Sequence, residues 1–160
     1  MSTEKKIGFT KVGLPYGWMG NMSAFPIKYV GKIWKTSEAL FQALRFEDEQ
    51  IKEELRMQES PMGAKMKAKK NKLKMAIHPR SEKDIENMRM VLALKFEQHP
   101  NLANDLIKTK DALLYENIES RRNTESNLFW GARLTTDNNL IGQNKLGILL
   151  MELREKLKNK

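Results

Sequence analysis

Leu146, Leu149, Leu150, Leu153 and Leu157 recur at three- and four-residue intervals near the end of the chain. That spacing puts them on one face of a helix, and a helix with a single apolar stripe must bury it against a partner. The constraint repeats upstream. Ile85, Met88, Val91, Leu92 and Phe96 are spaced for a second buried helix face, and Leu40, Phe41, Leu44 and Phe46 give a third stripe. Start signals precede several of these runs. Thr36-Ser37-Glu38 offers a hydroxyl cap and a carboxylate for the positive end of the helix dipole. Ser60-Pro61 reads as a cap followed by proline at the first helical position. Ser81-Glu82-Lys83-Asp84 resembles a capping box, and Asn101 is placed to cap a short helix through Leu106-Ile107. Helical pattern also runs from about Gln50 to Glu59. Strand signals are few: Ile27 to Val30 and Ile33-Trp34 read as a short hairpin turned at Gly31-Lys32. Residues 8–25 read as irregular or short extended structure, and 117–143 as polar and irregular, interrupted by Phe129-Trp130-Gly131. The expected fold is mainly α, a single compact domain over residues 1–160 with a short β-hairpin near the N-terminus.

A chain of 160 residues suits one domain with a substantial core, and 40% hydrophobic with 31% charged residues is globular composition. No apolar run approaches the length of a membrane-spanning helix. Met1 to Lys6 lacks the apolar centre of a secretory signal. Cysteine is absent, which removes disulfides and thiolate metal sites. With two histidines, His78 and His99, a histidine-rich metal site is excluded, and both precede proline, a pattern of segment boundaries rather than of catalytic placement. The expectation is a cytoplasmic protein with no metal and no cofactor. The net charge of +9 favours an anionic partner: nucleic acid, a nucleotide phosphate or a membrane surface. A solvated basic surface that keeps the chain soluble is the alternative.

Four features could carry chemistry. Lys65, Lys67, Lys69, Lys70, Lys72 and Lys74 form a run that is either a solvated helix or an electrostatic platform for nucleic acid. Glu38, at a helix start, is either a dipole partner or a carboxylate facing a cleft. Phe129-Trp130-Gly131 lies in a polar stretch, where Trp130 either anchors a loop into the core or stacks on a flat ring. Gly142-Gln143-Asn144-Lys145-Leu146-Gly147 is either a simple helix start or a close approach to a phosphate.

Taken in order along the chain, these segments resemble the NADAR superfamily of YbiA-like proteins. The matching blocks are Asn21 with Phe25-Pro26-Ile27-Lys28 and Gly31-Lys32, then Thr36-Ser37-Glu38-Ala39-Leu40-Phe41-Gln42-Ala43, then Ser60-Pro61-Met62-Gly63-Ala64-Lys65. Lys95-Phe96-Glu97-Gln98-His99, with Leu102, Leu106 and Thr109, follows. Leu114-Tyr115-Glu116, Trp130-Gly131, the Gly142 to Gly147 block and Leu150-Met151-Glu152-Leu153-Arg154 complete the series.

The resemblance implies a mainly α domain that cleaves N-glycosidic bonds to ribose without a metal. Its substrates would be either ADP-ribose on guanine in nucleic acid or phosphorylated riboflavin-pathway intermediates, split to ribose 5-phosphate. Cleavage of a C1′–N bond develops positive charge on the sugar, which a carboxylate stabilises. Glu38 is the candidate, with Glu116 in reserve. Lys65 is the candidate for an alternative route through a Schiff base. Trp130 and Gly131 would meet the base, while Asn21, Arg45, Asn127 and Asn144 would bind or orient ribose or phosphate.

Three positions depart from the family pattern. Arg45 replaces a lysine and cannot form an imine. Asn127 replaces an acid, and Ala132 stands where some relatives carry aspartate. These losses place more of the electrostatic work on Glu38. The leading expectation is removal of ADP-ribose from guanine in DNA. The alternatives are cleavage of free riboflavin intermediates and a non-catalytic ADP-ribose or nucleic-acid binding module.

Overall fold

The computed structural model of the chain describes residues 4–160. The first three residues of the expected domain, and of the stretch read for a signal, lie outside the described residues. In chain order the elements are β1 (Lys6–Phe9), a 3-10 turn (Gly17–Met19), β2 (Ile27–Tyr29), β3 (Lys32–Trp34), α1 (Ser37–Ala43), α2 (Glu49–Arg56) and α3 (Pro61–Lys70). A 3-10 turn (Lys72–Lys74), α4 (Glu82–Gln98), α5 (Pro100–Ile107), β4 (Leu113–Glu116), α6 (Glu125–Trp130), β5 (Arg133–Leu134), β6 (Leu140–Ile141) and α7 (Lys145–Lys158) follow. The fold is mainly α with small strand elements, as expected.

Helix starts follow hydroxyl and carboxylate caps, because the first N–H groups of a helix have no partner inside it. Thr36 Oγ1 accepts from Ala39 N at 3.1 Å, and Ser60 Oγ from Gly63 N at 2.9 Å ahead of Pro61. Asp48 caps α2 by accepting from Gln50 N and Ile51 N. Ser81 accepts from Asp84 N at 3.3 Å, but Asp84 does not close the capping box. Its carboxylate takes the Arg80 N–H at 2.8 Å instead.

Four further expectations are corrected. The hairpin turns at Val30-Gly31, one residue early, with φ of 47° and 76°. Both central residues have positive φ because a two-residue turn must match the strand twist. Helix α1 ends at Ala43, so Leu44 and Phe46 lie beyond it. Helix α5 begins at Pro100, and Asn101 lies inside it. Residues 125–130 are helical, capped by Thr124 Oγ1 on Asn127 N, rather than irregular.

The described residues divide into two units. In one, residues 4–20 join Pro100–Lys160. Strand β1 pairs in parallel with β4, from Lys6 with Leu113 to Phe9 with Glu116. Helix α7 packs on β4 and also meets α5 and α6. Gly147 permits that approach, since a Cβ there would lie 2.1 Å from the Leu114 carbonyl oxygen. Phe9, Leu106, Leu114, Ile118 and Leu150 are among its buried side chains.

The other unit is Asn21–His99. Helix α1 touches α2, α3, α4 and β3, and all its residues are buried. The β2 strand meets α4, where Gln98 acts as a surrogate strand: its Oε1 accepts from Lys28 N at 2.7 Å and its Nε2 donates to Lys28 O at 2.8 Å.

Candidate active site

In the unit formed by Asn21–His99, the start of α1 is locked to the chain before the hairpin. Asn21 O accepts from Glu38 N at 3.1 Å and also from Ser37 Oγ. Asn21 Oδ1 accepts from Ser37 Oγ at 2.9 Å, and Asn21 Nδ2 donates to Met88 Sδ at 3.2 Å. Asn21 therefore positions the first turn of α1 through its two oxygens, while its amide nitrogen is engaged by Met88 on α4. Glu38 sits in that first turn, 9% exposed, with Oε2 accepting from Gln42 Nε2 at 3.3 Å. Its carboxylate lies where the helix dipole favours negative charge.

Arg45, expected to bind phosphate, is buried and paired inside the fold. Its Nε donates to Asp84 Oδ1 at 2.9 Å and its Nη2 to Asp84 Oδ2 at 2.8 Å, a bidentate pair with the aspartate side chain fully buried. Nη1 donates to Gln42 Oε1, and the guanidinium lies 4.7 Å over the Phe41 ring. The arginine's donors are largely spent inside the fold. Lys65 is exposed on α3.

Sequence reasoning gave Lys95 no role of its own. It is fully buried on α4, donates from Nζ to Ser23 Oγ at 3.1 Å, and lies 5.5 and 5.6 Å over the rings of Phe25 and Phe96. Burial pushes its amine down to about 7. The signal was present: Met88, Val91, Leu92, Lys95 and Phe96 share one stripe of α4, so this lysine falls on the core face.

In the other unit, Asn144 begins α7 with φ of 52° and no side-chain cap. Its Nδ2 donates to Leu114 O at 2.9 Å and its Oδ1 accepts from Glu116 N at 3.2 Å. The side chain expected to orient a ligand is a clamp on β4, just where Glu116 leaves it. Glu116 is partly buried, with its carboxylate 3.5 Å from Arg121 Nη1. Asn127 donates from Nδ2 to Arg122 O at 2.9 Å, which holds the loop before α6. Trp130 ends α6, is 7% exposed, and meets Phe129 edge-on at 4.9 Å. It is placed as an anchor. Gly131 then passes so close to β4 and beyond that a Cβ would lie 2.7 Å from Glu116 O and 2.6 Å from Ile118 Cγ2.

The structure thus groups Asn21, Glu38 and Arg45 in one unit, with Lys65 on its exterior, and Glu116, Asn127, Trp130, Gly131 and Asn144 in the other. Among the described residues, no group of three or more His, Cys, Asp or Glu side chains is arranged to hold a metal ion. No helix among them is long and apolar enough to cross a membrane.

Comparison with known proteins places these features in a family. The NADAR domain matches residues 8–158. N-glycosidase YbiA of Escherichia coli strain K12 is 40% identical over 151 residues, covering 94% of this chain and 88% of that protein. An N-glycosidase of Nostoc punctiforme is 30% identical over 159 residues, covering 96% of this chain and 93% of its own length. A riboflavin biosynthesis protein of Vibrio vulnificus is 28% identical over 159 residues, and the match spans 39% of that longer protein. The NMR structure of E. coli YbiA superposes with a TM-score of 0.74 at 36% identity, covering 99% of this chain and 88% of that one. With one family matched across nearly its whole length and relatives of this identity, the chain belongs to the NADAR family.

Proposed function

We propose that this chain is an N-glycosidase that hydrolyses the bond between ribose C1′ and a base nitrogen, and that its substrate is ADP-ribose attached to guanine in DNA. The activity class rests on 40% identity, over 94% of the chain, to a relative named N-glycosidase. The observation that carries the chemistry is Glu38, a buried carboxylate fixed at a capped helix start with Gln42 on one oxygen. As the C1′–N bond breaks, its electron pair leaves with the base and positive charge grows on the ribose. A fixed carboxylate stabilises that charge without reorganising. Water then bonds to C1′, one of its protons being lost and the base nitrogen being reprotonated. Both units are proposed to form one functional NADAR domain, acting without a cofactor and located in the cytoplasm.

The polymeric substrate is favoured by charge. The formal net charge is +9, and a DNA-linked substrate is a polyanion. A second reading, cleavage of free phosphorylated riboflavin intermediates, is favoured by the similarity to the Vibrio protein named for riboflavin biosynthesis. The test is turnover on both substrates side by side, by release of ADP-ribose from modified DNA and of ribose 5-phosphate from the free intermediate. ADP-ribose release by wild type, lost in Glu38→Gln, supports the proposal. Turnover of the free intermediate alone would replace the substrate, and full activity in Glu38→Gln would remove the carboxylate from its role.

A further inference from the structure

Residues 60–80 contain six lysines and one arginine and no acidic residue, so this segment holds +7 of the chain's formal +9. The structure shows how that charge is presented. Helix α3 buries only Ala64 and Ala68, the small side chains it turns inward, and packs on α1 and α2. At 3.6 residues per turn, Met62, Lys65, Met66, Lys69 and Lys70 fall within an arc of about 140° on the opposite side. All five are exposed. Lys67 alone turns toward α2, where it meets Glu54 at 3.7 Å. The 3-10 turn that follows adds exposed Lys72 and Lys74 and leaves Leu73 95% exposed. The result is a ridge on which apolar side chains alternate with exposed ammonium groups.

We infer that this ridge is the surface on which the protein holds single-stranded nucleic acid, the lysines on phosphates and Met62, Met66 and Leu73 against base faces. The inference rests on the nucleic-acid reading of the substrate. Phosphates supply the complementary charge. Unstacked bases supply the apolar partner that a duplex backbone does not. An anionic membrane would also attract the lysines, but insertion needs a continuous apolar face. Here each exposed methionine of α3 is flanked by lysines on the same arc.

The test measures binding of the full chain to a labelled, unmodified single-stranded oligonucleotide by fluorescence anisotropy over a salt series. Lys69→Gln, Lys70→Gln and Lys72→Gln are combined, all at exposed positions. The expected result is binding roughly tenfold weaker or more at low salt, with the slope of log K against log salt shallower by about 2, at ~0.7 per lost phosphate contact. Met66→Ser with Leu73→Ser is expected to weaken binding while leaving that slope in place. Unchanged affinity and slope in the lysine variant would overturn the inference. So would tighter binding of a duplex of the same sequence, or binding of phosphatidylserine vesicles without binding of the strand. Because the strand carries no ADP-ribose, the result is read apart from turnover. A protein that binds bare DNA through α3 but releases nothing from modified DNA keeps this inference and loses the substrate reading.

Discussion

Lys95 sits on the core face of α4 at a cost that can be measured. Its amine titrates near 7 in the folded chain, against an ordinary 10.5, because burial penalises the charged form. Between those values the unfolded chain holds a proton that the folded chain does not. Stability therefore rises with pH from about 7 toward 10.5, and the cost is fully present below that window. Lys95→Met is expected to raise stability at pH 7 by ~2–4 kcal/mol and to flatten the rise. Urea melts of both proteins at pH 6, 8 and 9.5 check this, and parallel pH curves would show that the amine does not titrate in that range. Asn144 is the opposite case, a polar side chain that holds the fold. Asn144→Ala removes two hydrogen bonds to β4 and is expected to cost about 2–3 kcal/mol. Asn144→Gly accommodates the φ of 52° yet loses the same bonds, so it should remain destabilised. A glycine variant as stable as wild type would mean the clamp contributes nothing.

The helices show where local sequence is informative and where it is not. Helices α1, α3 and α4 start at caps set by neighbouring residues and α4 also follows its own apolar stripe, and Glu38 was legible because its position in the first turn is set by the nearby Thr36. The β1–β4 pair was not, because Lys6–Phe9 and Leu113–Glu116 are far apart in the chain and short strands carry little pattern. The anchoring of Asn144 was not legible for the same reason: its partners, Leu114 and Glu116, come from a distant strand. Arg45 is a third example. Nothing near it announces Asp84, yet their pair ties the end of α1 to the start of α4. Breaking it with Arg45→Leu leaves a buried carboxylate without its counter-charge and is expected to cost about 3–5 kcal/mol. Adding Asp84→Leu should recover much of that loss, because the stranded charge is then removed. Chemical denaturation of both singles and the double completes the cycle, and additive losses would show that the two residues act separately.

At the scale of the whole molecule, charge separates the two substrate readings. A net +9 creates a field that acts on a polyanion over many phosphates but on a free ribosyl phosphate over only one or two. Counterion release makes the first interaction steeply salt-dependent, while the second changes little over the same range. Between 50 and 200 mM salt, kcat/KM on ADP-ribosylated DNA is expected to fall by roughly tenfold or more, and kcat/KM on the free intermediate by about twofold or less. On the proposed roles the fall should lie in KM rather than kcat, because the basic ridge of α3 would hold the strand and Glu38 would act on the bond. Steady-state rates on both substrates across the series decide it. A kcat that drops with salt on both would place the sensitive charges at the reacting bond. Equal, shallow slopes would leave the basic surface without a role in substrate capture, and the small-molecule reading would then gain the stronger claim.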